Sequence, residues 1–173
     1  MTDDKKIKPL AELVLVGEIV MQSKFAEAAA SRLVDSPDPI EVWGSIQSIL
    51  VAAGNVSKIL WPVRKQYEER GKQLRSLIGV EDNNLLSDRT FRNHFEHYDE
   101  RVEEWFDGNN SSAYLDSRID PFEEGSIGVP RFFHRSYNPV SQELSFRGES
   151  IDVGAVLAEL TKLREKCRGL VLP

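Results

Sequence analysis

The stretch Ser87-Asp-Arg-Thr-Phe-Arg-Asn-His-Phe-Glu-His-Tyr-Asp-Glu-Arg-Val-Glu-Glu-Trp-Phe-Asp107 reads as an amphipathic helix. Ser87 or Asp88 supplies an N-cap oxygen, and Phe91, Phe95, Tyr98, Val102 and Trp105 follow at three- and four-residue steps. At 100° per residue these five fall within roughly 40° of one axis, so they form a stripe that must face a core. Arg89, Asn93, Glu96 and Glu100 lie on the opposite face. Arg92 and His97 occupy opposite flanks, about 140° apart, so one straight helix does not aim both at the same atom. A second copy of the helix would supply the missing group.

Working outward toward the N-terminus, Pro9 opens a long helix carrying Leu10, Leu13, Val14, Gly17, Val20, Met21 and Phe25, which ends in the small run Ala28 to Ala30 and Leu33. Asp38 caps the next helix, with Pro39 at its first position. Val42, Trp43, Ile46, Ile49, Leu50, Ala53, Val56, Ile59 and Leu60 give that helix an apolar face wide enough to be largely buried, and Trp61-Pro62 ends it. From Val63 to Leu77 the sequence predicts a solvated helix rich in Arg64, Lys65, Glu68, Glu69, Arg70, Lys72 and Arg75. Gly79 and Asp82-Asn83-Asn84 stop it.

Beyond Trp105, Asp107-Gly-Asn-Asn-Ser-Ser and the Pro- and Gly-containing stretch from Asp120 to Pro130 are loop signals. Arg131–Tyr137 and Glu143–Phe146 read as the arms of a β-hairpin. Gly148 allows a turn, Asp152 caps a last helix between a staple of Ile151 and Val156, and Val156, Leu160, Leu163 and Cys167 line one side of it. The expected fold is mainly α, a single domain over residues 1–173 in which a helical bundle carries a β-hairpin at about 130–148, before the C-terminal helix.

The 173 residues, 40% hydrophobic and 29% charged, are enough for one domain with a real core. The single cysteine, Cys167, excludes an intramolecular disulfide and a thiolate-rich metal site. The N-terminal residues lack a signal-like apolar run, and Glu12 and Glu18 interrupt the most apolar stretch, so the expectation is a cytoplasmic protein without a membrane span. A net charge of −6 opposes broad, non-specific nucleic-acid binding but allows a local basic site. No phosphate-binding glycine loop, nucleophile elbow or cofactor fingerprint is present, so no cofactor is expected.

Two overlapping pairs on the central helix place arginine and histidine five positions apart: Arg89 with His94, and Arg92 with His97. The second also has Asn93 directly after the arginine. Arg92, Asn93 and His97 in a helical frame resemble the HEPN (higher eukaryote and prokaryote nucleotide-binding) domains. The resemblance implies metal-independent RNA cleavage or RNA binding by a homodimer, in which Arg92 and His97 of two copies form one composite cleft and Asn93 orients the histidine or holds the phosphate. It also implies cyclic-phosphate products and a toxin or defence setting, with a neutralising protein partner.

The chemistry stands without the family. Cleaving RNA without a metal needs a base for the ribose 2′-hydroxyl, an acid for the leaving oxygen and a cation for the phosphorane. Histidine titrates near neutrality, and arginine offers phosphate a planar, permanently charged fork. Arg89 and His94 form a second candidate pair. Arg131, Arg135 and Arg147, interleaved with Phe132, Phe133, His134 and Tyr137, are candidates for substrate binding on the hairpin.

Each of these residues also has a structural reading: His94 as a partly buried packing residue, Arg92 and Glu96 as an exposed pair, and the hairpin aromatics as the face that packs on the bundle. His94, His97 and Glu100 are too few for a closed metal site, and no metal is expected. The second function class is a non-catalytic dimeric interaction module that uses the same helix as an interface.

Overall fold

A computed structural model describes residues 7–36, 38–108, 114–120 and 133–170, with the backbone alone for Val34, Asp35, Phe91 and Arg92. Its centre is helix α2 (Pro39–Leu60). Pro39 opens the helix and the Asp38 carboxylate accepts the Ile40 N–H at 2.9 Å, as the sequence predicts. Val42, Ile46, Ile49, Leu50, Val56, Ile59 and Leu60 are all buried, so α2 is enclosed over most of its circumference.

Helix α1 (Pro9–Asp35) packs along α2 through Val16, Ile19, Ser23, Ala26 and Ala29. This corrects the expected inward face. Leu10, Val14, Met21 and Phe25 are 71%, 62%, 45% and 53% exposed, and they lie about 120–180° around the helix from Ile19. Helix α1 is apolar on two sides, and periodicity alone does not choose between them. The side with serine and alanine is buried because small residues let α2 approach closely, and close approach maximises dispersion contacts.

Helix α3 (Glu68–Ile78) follows a single 3-10 turn at Lys65–Tyr67, buries Leu74 and Ile78, and ends at Gly79, whose φ of 71° is left-handed. Gly71 sits against the corner where α2 stops. A Cβ there would lie 2.6 Å from the Pro62 Cδ and 2.7 Å from the Leu60 carbonyl oxygen.

The predicted central helix is divided. Helix α4 (Thr90–Glu96) stops at His97, with φ −114° and ψ 40°, and α5 (Tyr98–Gly108) starts at once. Backbone hydrogen bonds flank the break on both sides, His97 N–H to Asn93 and Arg101 N–H to His97. On either side of the break, Phe95, Tyr98 and Trp105 meet one cluster around Phe146 and His134.

The expected hairpin is part of a four-stranded sheet, β1 (Arg118–Ile119), β2 (Arg135–Asn138), β3 (Glu143–Phe146) and β4 (Glu149–Asp152), hydrogen-bonded in that order. β1 runs parallel to β2, and the other pairs are antiparallel, with Arg135 opposite Phe146 and Ser145 opposite Ser150. Arg147 and Gly148 join β3 to β4 with φ values of 53° and 85°, the two-residue turn whose twist matches that of paired strands. Arg131 and Phe132 lie outside the described residues.

Tyr137, Leu144 and Phe146 point into the core, where helix α6 (Val153–Cys167) adds Val153, Val156, Leu160, Leu163 and Cys167. The Asp152 carboxylate caps α6 by accepting the Ala155 N–H at 2.9 Å. The architecture is thus mainly α, with the small sheet before the last helix. Among the described residues no single helix is long and apolar enough to cross a membrane.

The corner at Gly71 sets a first expectation. Gly71→Ala drives a methyl group into a backbone carbonyl and a proline ring, neither of which can turn aside, so urea denaturation should show a loss of about 1–3 kcal/mol. An unchanged midpoint would mean that α3 does not seat on this corner.

Candidate functional site

His97 occupies the break between α4 and α5, and its side chain is 51% exposed. Its Nδ1 lies 3.5 Å from a Glu100 carboxylate oxygen. Asn93, one turn earlier, is half-buried and offers its carbonyl to the His97 N–H at 3.0 Å. The backbone of Arg92 lies on the same short helix, immediately before Asn93; its side chain is outside the described residues. Glu96 is held by Lys58 of α2 at 3.1 Å.

The second candidate pair is drawn into structural contacts. The Arg89 guanidinium donates to the carbonyl of Trp61, at the end of α2. His94 stacks on Phe146, ring centroids 4.6 Å apart and planes 6° from parallel, with Nε2 3.0 Å from a Glu149 oxygen. The packing reading of His94 thus matches its placement, with a side chain only 12% exposed.

Of the three arginines expected on the hairpin, two are described. The Arg147 guanidinium meets Glu104 of α5 at 2.5 Å. Arg101 holds the same carboxylate at 2.7 and 2.8 Å, and the hydrogen bonds from Arg147 and then Arg101 keep Glu104 below the usual carboxylate range.

Arg135 belongs to a buried network that the sequence reading missed. Its Nε and Nη2 donate to the two oxygens of Asp116 at 2.9 and 2.6 Å, and Nη2 also reaches the Ser117 hydroxyl at 3.0 Å. The guanidinium lies 4.3 Å from the ring centroid of Tyr98, 5.3 Å from that of Trp43 and 5.8 Å from that of Phe95. The Tyr98 hydroxyl donates to Asp116 at 3.0 Å and lies 2.9 Å from the Tyr114 hydroxyl, which lies 2.8 Å from Nδ1 of the wholly buried His134. Trp43 of α2 ties in by donating its indole N–H to the Ser117 carbonyl at 3.0 Å.

Burial opposes the charge on Asp116, but the Arg135 hydrogen bonds and charge, with Tyr98, outweigh it and hold the carboxyl below its ordinary value. Burial likewise opposes the charge on Arg135, and Asp116 more than restores it. For His134 burial dominates. Together with Arg135 and Arg147 it lowers the pKa below 6.5, against the pull of the Asp116 carboxylate. Burial and the Tyr98 hydrogen bond push the Tyr114 phenol far upward. Such a network fixes positions.

The missed residues had no periodic signal. Tyr114, Asp116 and Ser117 sit in an irregular segment, and only the mixture of aromatics and arginines at 131–137 hinted at a partner. Among the described residues no three metal-ligating side chains converge. Comparison with family models, curated proteins and solved structures returns no match to this chain.

Two outcomes follow from the network. Asp116→Asn leaves the Arg135 charge half-buried without its carboxylate and should cost about 3 kcal/mol in urea denaturation, with Arg135→Met added to it restoring part of the loss. Equal midpoints for wild type and Asp116→Asn would refute the pairing. The second concerns pH. Because the folded pKa of His134 is lowered, the unfolded chain takes up a proton first as pH falls through 6.5, so the stability is present in full above 6.5 and is lost toward the lowered folded value. The melting temperature should fall as the pH is lowered below 6.5, and His134→Gln should flatten that slope while lowering stability overall.

Proposed function

We propose that this chain is a HEPN-like protein that cleaves or binds RNA without a metal, using Arg92, Asn93 and His97 in a composite site between two copies. One observation carries the reading: the motif helix ends at His97, so the histidine ring stands in solvent while its neighbours Phe95 and Tyr98 pack inward. A base or acid for the ribose and leaving-group oxygens has to be reachable in this way, and His97 is the most exposed of the three histidines whose placement is described. Arg92 would place its guanidinium on the scissile phosphate, and Asn93 would fix the histidine or a phosphate oxygen.

Self-association is supported by α1. Leu10, Val14 and Met21 form an exposed apolar stripe on α1, of the kind that a second helix covers, and Phe25 extends it to the groove that it lines with Gly44 and Val51 of α2. The same stripe also favours the second reading, a dimeric interaction module without catalysis.

The deciding experiment incubates RNA with wild type, Arg92→Ala and His97→Ala in excess chelator and maps the fragment ends. Wild type should leave 2′,3′-cyclic phosphate and 5′-hydroxyl ends, and each variant should lose at least about 100-fold in rate while remaining folded, since His97 is exposed. Intact RNA in all three reactions, with no RNA binding by wild type, would leave the interaction module.

A further inference from the structure

We infer that the turn spanning Val63–Arg70 is the track on which a single RNA strand lies as it enters the α4 motif. The inference rests on the RNA reading above and extends it to a binding site that the motif does not contain. Six successive residues, Val63 to Glu68, are exposed where α2 ends and the chain turns into α3. Between residues 58 and 75 the chain carries the cations Lys58, Arg64, Lys65, Arg70, Lys72 and Arg75 against Glu68 and Glu69, in a protein of net charge −6, with Lys58 and Arg75 paired to Glu96 and Asp82. Glu68 is itself neutralised by Lys72 at 2.9 Å.

Among the described residues Arg64 and Lys65 make no ion pair, so both charges face solvent. By contrast, Arg135 and Arg147 are engaged by Asp116 and Glu104. Beside these two cations stands Tyr67, 40% exposed, with the Arg70 guanidinium 5.0 Å from its ring centroid. Arg70 is in turn fixed by donating to the Lys58 carbonyl at 3.1 Å. A free pair of cations next to an aromatic ring that is backed and held in place is the arrangement single strands use: phosphates on the charges, a base on the ring.

The position is as telling as the composition. Helix α4 lies against the last turn of α2, where Arg89 donates to the Trp61 carbonyl and Lys58 meets Glu96, the residue before His97. Arg64 follows Trp61 by three residues, a reach of at most about 11 Å. The cationic turn and the motif are therefore neighbours. A strand whose phosphates sit on Arg64 and Lys65 would lie beside the motif helix.

The test measures binding of a fluorescent 2′-O-methyl oligonucleotide, which resists cleavage, by fluorescence anisotropy across a salt series, and in parallel the cleavage of unmodified RNA. The proteins are the full chain and its variants Arg64→Glu/Lys65→Glu and Tyr67→Ala, checked for fold by circular dichroism. The charge-reversed variant should bind at least about tenfold more weakly, with a salt slope shallower by about 1.4, the share of two phosphate contacts on a single strand. Tyr67→Ala should weaken binding about tenfold with its slope unchanged. Wild type that binds and cleaves, with variants that do both equally well, would overturn the track and leave the turn to a protein contact while the motif reading survives. Wild type that neither binds nor cleaves would overturn both.

Discussion

Helix α2 ends inside the protein. Ile59, Leu60 and Trp61 are almost fully buried, and the last carbonyls of a helix have no partners within it. Three arginines from separate places meet this need: Arg70 donates to the Lys58 carbonyl, Arg75 to that of Leu60 and Arg89 to that of Trp61. Cations also complement the negative end of the helix dipole. Because Arg70 and Arg75 belong to α3 and Arg89 precedes α4, one requirement at the end of one helix fixes where both elements lie. The position of the motif helix is thus a consequence of how α2 is terminated.

The sheet is attached by a second polar arrangement. The Asp116–Arg135 pair links the segment before β1 to the start of β2, and the rings of Trp43, Phe95 and Tyr98 carry the contact onto α2, α4 and α5. An ion pair of this kind is not an efficient source of stability, since both charges leave water. Its geometry, however, tolerates few alternatives: two parallel hydrogen bonds and three ring faces must be met together. That selectivity orients Tyr98, and His97 precedes Tyr98 in the chain, so the exposed histidine is held from behind by this network.

The parts legible in the sequence are those that follow from local chemistry. Asp38 with Pro39 and Asp152 announced their helix starts, Gly79 and Trp61-Pro62 the ends, and the wide apolar face of α2 its burial. What failed depended on partners distant in sequence. Helix α1 has two apolar faces, and the choice between them is made by how closely α2 approaches Ser23, Ala26 and Ala29. The break at His97 carries no proline or glycine, so no local signal announces it. Arg135 reads as a substrate-binding candidate because its partner Asp116 lies 19 positions earlier, in a stretch without periodicity.

The one cysteine adds an experimental handle. Cys167 is fully enclosed on α6, and burial pushes its thiol up to about 11, so at neutral pH it is both protonated and shielded. A thiol reagent can therefore attack it only after the C-terminal helix has lifted away from α1 and α2. The rate of modification of this single sulfur is a direct clock for that opening, and any cysteine introduced on the surface will react first, without competition from the native residue.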